Sequence, residues 1–188
     1  MKRYMIVDVD RCWGCKSCTV ACKMMSGIPV GCASRVSVFR IETLGADGEA
    51  RCDFIPVFCQ HCEEPQCVAN CPRNALYINE EGLVLLDSSL CIGCGKCERV
   101  CPYGAITFYE NEEGRKVFSK CDTCIDRRSR GGKTFCEQHC PGQVFSCVDE
   151  AEADSLVHLR RYHFSVGHVV YVSDVLENLG FTQEANEE

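Results

Sequence analysis

The stretch "CIGCGKCERVCP", from Cys91 to Pro102, separates four cysteines by two, two and three residues and ends on a proline. This spacing is the bacterial run that binds [4Fe–4S] clusters. Three closely spaced cysteines can wrap a loop around one face of a cubane, and the fourth ligates the other cluster of a pair. Gly93 and Gly95 suit such a loop because glycine tolerates unusual backbone angles. The run therefore predicts a partner run elsewhere in the chain.

Three further groups of four cysteines vary this pattern. "CWGCKSCTVACK", from Cys12, has the same spacing without the proline, and "CQHCEEPQCVANCP", from Cys59, has two extra residues before its third cysteine. "CDTCIDRRSRGGKTFCEQHCPG", from Cys121, widens the second gap to eleven residues but still ends Cys-Pro-Gly. Four such groups favour iron–sulfur clusters over structural zinc or disulfides. Three of the 19 cysteines stand outside the groups and are interpreted as ordinary buried thiols: Cys32, Cys52 and Cys147.

The composition favours metal ligation. The chain has 188 residues and is 46% hydrophobic, but its 19 cysteines inflate that fraction. The aliphatic core is therefore modest, and metal–ligand bonds are expected to help hold the fold together. The opening "MKRYMIVDVD" has too few apolar residues for a signal peptide and has no twin-arginine pair. By its own sequence the chain is expected in the cytoplasm with reduced thiols; the alternative is export, already folded, with a partner that bears a twin-arginine signal.

Several classes of function are disfavoured. No stretch approaches the roughly 18 apolar residues that a membrane span needs. The formal charge of −7 disfavours a nucleic-acid partner, which usually requires a basic face. The sequence shows neither a nucleophile–base constellation nor a glycine-rich phosphate loop, and so it offers no catalytic residues.

An internal repeat indicates which runs are partners. Residues 71–91, "CPRNALYINEEGLVLLDSSLC", and residues 101–121, "CPYGAITFYENEEGRKVFSKC", have the same length and both begin Cys-Pro-x-x-Ala. Each predicts a β-hairpin between two cluster loops, as in a ferredoxin. "RYMIVDVDRC" similarly predicts a strand that leads into Cys12, and a short helix is expected to begin at the fourth cysteine of each run.

The repeat makes the second and third runs adjacent halves of one two-cluster unit, in which each run supplies its fourth cysteine to the other cluster. The first and fourth runs then pair across the chain. One cluster of the first pair has the ligands Cys59, Cys62, Cys67 and Cys101, and the other has Cys91, Cys94, Cys97 and Cys71. The clusters of the second pair have Cys12, Cys15, Cys18 and Cys140, and Cys121, Cys124, Cys136 and Cys22.

This pairing predicts an α+β fold of two ferredoxin-like 2[4Fe–4S] modules, one inserted in the other, with short helices, hairpins and long loops. The first module comprises residues 1–50 and 111–150, and the inserted module comprises residues 51–110. Residues 151–188 are expected to form a C-terminal tail that packs on the core or on a partner and ends in the charged "NEE". Zinc at Cys121–Cys140 would leave the first run without a partner run.

The four runs, in this order, resemble the four-cluster iron–sulfur subunit of the dimethyl sulfoxide reductase superfamily. The resemblance covers residues 4 to about 150. It implies a non-catalytic electron-transfer subunit of a molybdopterin-dependent complex used in anaerobic respiration. The implied partners are a large molybdopterin catalytic subunit and either a membrane-anchor, quinone-reactive subunit or a soluble electron donor. Some relatives have Trp where this chain has Cys97, giving a [3Fe–4S] cluster; this chain is therefore expected to hold four [4Fe–4S] clusters.

Two other functions fit parts of the pattern: a free-standing polyferredoxin shuttle and a zinc-bound interaction scaffold. Smaller features also have two interpretations. The basic segment Arg127–Lys133 is a solvated loop or a docking site, with Arg127 as its structural member. Lysines beside cluster cysteines raise a cluster's potential or are simply exposed. His61 and His139 lie between cysteines but are not expected to be ligands, because the cysteine count is complete. The lysines are Lys23, Lys96 and Lys120.

Overall fold

The computed structural model describes residues 1–44 and 48–176, so that the predicted charged end lies outside the described residues. Within those ranges the chain mixes ten strands with six helices. The strands are β1 (Arg3–Asp8), β2 (Ser37–Leu44), β3 (Ala50–Val57), β4 (Leu76–Ile78), β5 (Val84–Leu86), β6 (Ile106–Glu110), β7 (Lys116–Lys120), β8 (Phe145–Asp149), β9 (Tyr162–Val166) and β10 (Val169–Ser173). The helices are α1 (Ser17–Met25), α2 (Gln66–Ala69), α3 (Lys96–Val100), α4 (Ile125–Arg128), α5 (Phe135–His139) and α6 (Glu150–His158).

A four-stranded sheet, in the order β8-β1-β10-β9, forms the largest layer. The predicted strand that leads into Cys12 is confirmed as β1, followed by a 3-10 turn at Val9–Arg11. β1 pairs parallel with β10 and antiparallel with β8. Met5 and Val7 on β1 are buried because neighbouring strands flank both edges and the core packs against the sheet face.

The C-terminal segment supplies two strands of this sheet. α6 crosses one face, and β9 and β10 then form an antiparallel hairpin. All five residues of β10 are buried, as expected for an apolar strand inside a sheet. Tyr171 of β10 accepts a hydrogen bond from the amide of Gln60, 3.1 Å away, which ties the strand to the second cysteine run.

The two predicted hairpins are confirmed as β4–β5 and β6–β7. A further hairpin, β2–β3, pairs along its whole length between the first and second cysteine runs. β2–β3 lies across residues 50 and 51, and β6–β7 lies across residues 110 and 111. The first of these positions lies inside β3 and the second at the end of β6, so each hairpin joins residues on both sides of a boundary that the sequence suggests.

The prediction that a short helix begins at the fourth cysteine of each run is wrong. α2, α3 and α5 instead begin one residue before the third cysteine of their run and end before Cys71, Cys101 and Cys140. The proline that follows the fourth cysteine ends each of these helices, because a residue that precedes proline is driven out of the α region. Cys101 and Cys140 accordingly have extended backbone angles. In the first run, which has no proline, α1 continues through the fourth cysteine to Met25.

One arginine joins the two ends of the described chain. The guanidinium of Arg160 donates to both carboxylate oxygens of Asp8, at 2.8 and 3.0 Å, and to Asp10 at 2.9 Å. Asp174 Oδ2 lies 3.2 Å from Nε but is not aligned for a hydrogen bond. Burial raises the pKa of Asp8, and Arg160 opposes the rise by favouring the charged carboxylate. The bidentate geometry requires a planar guanidinium.

Arg160→Ala should lower the free energy of unfolding by about 1–3 kcal/mol, because it leaves two partly buried carboxylates without their donor. Thermal unfolding of the anaerobically purified protein measures the loss. Arg161→Ala is the matched control, because the side chain of Arg161 is exposed, and it should have little effect. Equal stability of the two variants would contradict this role for Arg160.

Candidate metal centres

The first quartet of cysteines lies where α1 packs against α5. Burial raises the pKa of the Cys18 thiol to about 11, and the neighbouring thiols of Cys12 and Cys140 contribute to the rise. Burial likewise raises the pKa of Cys12, followed by the effects of Cys140 and Cys15. The structure therefore brings three cysteines of the first run together with the last cysteine of the fourth run.

The second quartet lines one cavity of about 380 Å³. Its four cysteines are Cys22, Cys121, Cys124 and Cys136. Burial raises the pKa values of Cys121 and Cys136, and the proximity of Cys22 adds to both shifts. This cavity combines three cysteines of the fourth run with the last cysteine of the first run, more than a hundred residues earlier.

The third quartet combines the second run with the end of the third. Burial raises the pKa of Cys67 to about 11, and the thiols of Cys59 and Cys101 add to the effect. Cys62 shows the same causes in the same direction. These four side chains interact electrostatically, although Cys101 lies 34 residues beyond Cys67 in the sequence.

The fourth quartet lines a second cavity, of about 350 Å³, beside the two small hairpins. Its cysteines are Cys71, Cys91, Cys94 and Cys97. Leu76, Phe108 and Phe118 close the cavity from the hairpin side. Burial raises the pKa of Cys97, and Cys91 and Cys94 contribute. All sixteen cysteines predicted as ligands thus lie in four quartets, each with three members from one run and one from another.

The quartets are looser than a site for a single ion. Among residues 1–44 and 48–176, no three side chains of His, Cys, Asp or Glu converge as they would around one metal ion. Tetrahedral zinc draws four sulfurs to about 2.3 Å from one atom. In a cubane each cysteine binds a different iron, so the sulfurs lie farther apart. The donor set and its spread therefore fit an iron–sulfur cluster.

Backbone donors point at the cysteine that closes each Cys-Pro run. The amide N–H of Ala75 donates to the sulfur of Cys71 at 3.3 Å, and that of Ala105 donates to Cys101 at 3.4 Å. The amide of Val144 makes the same bond to Cys140, also at 3.4 Å. For Cys71, burial raises the pKa, but several backbone N–H groups together lower it below the ordinary value. Such donors stabilise a thiolate, which is the form that binds iron.

A left-handed residue precedes the second cysteine in all four runs. Gly14 and Gly93 have φ of 74° and 66°, and His61 and Thr123 have φ of 48° and 54°. At Gly14 a Cβ would lie 2.4 Å from the ring of Phe54, so only glycine fits there. The four loops therefore turn in the same way, although the sequence shows glycine in only two of them.

Comparison with known proteins agrees with this geometry. A family model described as "4Fe-4S dicluster domain" matches residues 50–150, which is more than half of the chain, and a "4Fe-4S binding domain" model matches residues 9–25. The chain is 39% identical to the thiosulfate reductase electron transfer subunit of Salmonella typhi over 79% of its own length and 77% of the relative's. It is 33% identical to an anaerobic dimethyl sulfoxide reductase chain of Escherichia coli, over 87% of its own length and 85% of the relative's.

The protein belongs to this family of iron–sulfur electron-transfer subunits. It is also 44% identical to a tetrathionate reductase subunit of Archaeoglobus fulgidus over 66% of its own length, and it spans 56% of that relative's length. As a member of the family, the chain is an electron carrier that holds [4Fe–4S] clusters and is not a catalytic subunit. No helix among the described residues is long and apolar enough to cross a membrane.

The basic segment of the fourth run is partly structural. Arg127 donates to the carbonyl of Lys133 at 2.6 Å and lies over the ring of Phe135. Arg128 donates to the carbonyl of Thr123 at 2.8 Å and to Glu81 at 2.7 Å. The structural role expected of Arg127 is confirmed, and Arg128 shares it. These contacts fold the widened gap back onto the cluster loop.

Side chains beside the quartets differ in burial. Lys96 is exposed and Lys23 donates to the carbonyl of Cys32, whereas Lys120 is only 4% exposed. The ring of His61 is buried, and its Nδ1 accepts the N–H of Val84 at 3.0 Å. The burial of Lys120 is not predictable from the sequence, because the lysine is buried by contacts with Cys59 and Val84, which lie far away in the chain.

The cysteines outside the quartets do not behave alike. Cys147 is only partly buried, and the burial raises its pKa to about 11. For Cys52 the interpretation as a buried thiol is wrong, because its side chain is exposed on the β2–β3 hairpin, where Arg40 donates to its sulfur at 3.2 Å. Cys32 is partly exposed.

Removal of iron with a chelator should loosen the two small hairpins before the four-stranded sheet. The core under β4–β7 contains Cys97 and packs against Cys67, Cys71 and Cys101. A two-stranded hairpin is marginal by itself. One face of the sheet instead has a cysteine-free cluster: Ile6, Val148, Ala153, Val170 and Val172.

Hydrogen exchange on the cluster-loaded and iron-depleted protein measures this difference. Amides of β4–β7 should lose protection, and those of β1 and β10 should retain more. Equal loss in all these strands would show that the sheet depends on the clusters as strongly as the hairpins do.

Proposed function

We propose that the chain carries electrons through four [4Fe–4S] clusters as the non-catalytic subunit of a molybdopterin-dependent oxidoreductase complex. The observation that carries this proposal is the composition of the quartets, each of which takes three cysteines from one run and the fourth from a partner run. In this assignment the quartets described above are the ligand sets, and the clusters supply one-electron redox chemistry when bound. The chain itself fixes their spacing, excludes water and tunes their potentials.

The spacing of cysteines on the helices supports an electron route. Cys18 and Cys22 lie four residues apart on α1 and belong to different quartets. Residues at this spacing share a helix face, and so one helical turn joins the first and second clusters. Cys97 and Cys101, at the two ends of α3, join the fourth and third clusters in the same manner. Two pairs of close clusters result.

Exposure indicates the ends of the route. Cys15 in the first quartet and Cys94 in the fourth quartet are exposed. Each quartet has one buried cysteine, but no cysteine of the second or third quartet is exposed. We therefore place the two outer clusters where electrons enter and leave, and the second and third clusters between them.

The same assignment gives the two-module arrangement. Residues 1–50 with 111–150 would hold the first and second clusters, and residues 51–110 would hold the third and fourth. Because β2–β3 and β6–β7 pair across both boundaries, the modules would share hairpins instead of being joined by linkers. Arg128 and Glu81, which form an ion pair, would tie the two modules together.

The partner would be a large molybdopterin catalytic subunit, with a membrane-anchor subunit or a soluble donor at the other end. The support is that the relatives named above are reductase subunits that work beside other chains. That support favours a complex over a free-standing polyferredoxin. The compartment would be that of the catalytic subunit: the cytoplasm, or the far side of the membrane if a twin-arginine signal on that subunit exports both.

Cys22→Ser should remove or alter the second cluster and leave the other three in place. The reason is that Cys22 lines the cavity of Cys121, Cys124 and Cys136 although it belongs to the first run. Iron and sulfide analysis with electron paramagnetic resonance during reductive titration measures the loss. Cys52→Ser is the matched control, because Cys52 is exposed and lies outside the quartets. A loss confined to the cluster of Cys12, Cys15 and Cys18 would refute the cross-pairing.

The native protein should co-purify, at a fixed ratio, with a larger chain that contains molybdenum and a pterin. Anaerobic purification from its natural host, followed by metal analysis and mass spectrometry of the complex, tests this expectation. A protein that runs alone with all its clusters would instead support the shuttle. A colourless protein with zinc and without sulfide would contradict electron transfer altogether.

A further inference from the structure

Lys120, the last residue of β7, is a buried cation. Lys120 is only 4% exposed. Lysine is almost never fully buried without a partner. The ammonium group donates to the carbonyl of Val84 and to that of Cys121, both at 2.6 Å. It also lies 3.6 Å from the sulfur of Cys59. Its donors are thus directed at two backbone oxygens and one cysteine.

No carboxylate neutralises this cation among the salt bridges of the described residues. The adjacent acid, Asp122, pairs with Arg35 at 3.1 Å and accepts the N–H of Cys124. Two carbonyl oxygens satisfy hydrogen bonds but do not supply a full negative charge. A buried charge without a counter-charge is costly, so a negative group is required beside Lys120.

The cysteines of the third quartet can supply that charge. Lys120 Nζ lies 3.6 Å from the sulfur of Cys59, which belongs to the same quartet as Cys62 and Cys67. In a cluster these sulfurs are thiolates, and the cluster with its ligands is an anion. The contact with the carbonyl of Cys121 simultaneously places the ammonium group at the edge of the second quartet.

Val84 explains how the ammonium group keeps this position. The N–H of Val84 donates to Nδ1 of His61, and its carbonyl accepts from Lys120. The backbone N–H and carbonyl of Val84 thus bond to two different side chains. Each of these side chains belongs to a residue next to a cysteine, and the two cysteines are in different runs. Because Val84 and His61 are each 1% exposed, the arrangement is closed to water.

We propose that the positive charge of Lys120 raises the reduction potential of the third cluster and, more weakly, that of the second. Lys120 would act in this way at the junction between the two cluster pairs. This inference rests on the proposed function, since it requires clusters in both quartets. A fixed positive charge between the two quartets would favour the more negative, reduced state of a cluster held in either of them. The stronger effect is assigned to the third cluster because the ammonium group contacts a sulfur there and only a backbone oxygen at the second.

Lys120→Met should make reduction of the third cluster roughly tenfold less favourable, which is 59 mV for a one-electron couple. A potentiometric titration monitored by electron paramagnetic resonance, on protein with its iron and sulfide content verified, gives the potential of each cluster. Lys120→Arg should restore most of the shift, because it retains the charge. Lys116→Met is the control for the third cluster: Lys116 begins the same strand, but its ammonium group lies over the ring of Phe108 beside the fourth quartet, so any shift should be confined to the fourth cluster.

Unchanged potentials in a fully loaded Lys120→Met protein would overturn the inference, as would an equal shift of all four clusters or the same shift in Lys116→Met. If Lys120→Met fails to load, Lys120→Gln replaces it, because its amide can still donate to a carbonyl. Loss of clusters in both neutral variants with full loading of Lys120→Arg would assign the lysine to cluster assembly and overturn a role in potential. Absence of clusters from the unmodified protein would instead contradict the proposed function itself.

Discussion

The bond between a cysteine sulfur and cluster iron is the constraint on which the rest of the structure depends. Three cysteines in a tight loop can surround only part of a cubane, and each loop therefore needs a cysteine from another run. The quartets satisfy this need by bringing together Cys22 and Cys121, which lie far apart in the sequence. Contacts of such high sequence separation are costly to close, and metal–ligand bonds can supply the free energy that a small aliphatic core does not.

Different residues adopt the left-handed conformation before the second cysteine in the four cluster loops, and the non-glycine residues make additional contacts. Glycine occupies the left-handed position in two loops at little conformational cost. His61 and Thr123 adopt it in the others, where a non-glycine residue is uncommon. Both are buried, and both form side-chain hydrogen bonds to another element: His61 with Val84, and Thr123 with Arg128. At these two positions the loop gains a contact that glycine could not make.

Local spacing accounts for the parts of the fold that the sequence predicts. The cysteine runs, the hairpins β4–β5 and β6–β7, and β1 all depend on residues close together in the chain. The end of each helix was also readable, because the proline after Cys101 or Cys140 drives the preceding cysteine out of the α region. The pairing of β10 was not readable, since the apolar stretch "HVVYV" does not specify that it lies parallel to β1. The exposure of Cys52 likewise follows from the β2–β3 hairpin, for which no motif was recognised.

The burial of Lys120 is a feature of the fold that neither a motif nor a spacing rule indicates. Its position follows from the β6–β7 hairpin, which carries the chain from Cys101 in the third quartet to Cys121 in the second. A residue at the end of that hairpin must lie between the two quartets, and an apolar side chain could fill the same space. Lysine costs more to bury than an apolar residue of similar size unless an anion lies beside it. Negative charge on the clusters therefore explains why a cation occupies this position. With a neutral residue there, the negative charge of the two cluster pairs would oppose the transfer of an electron between them.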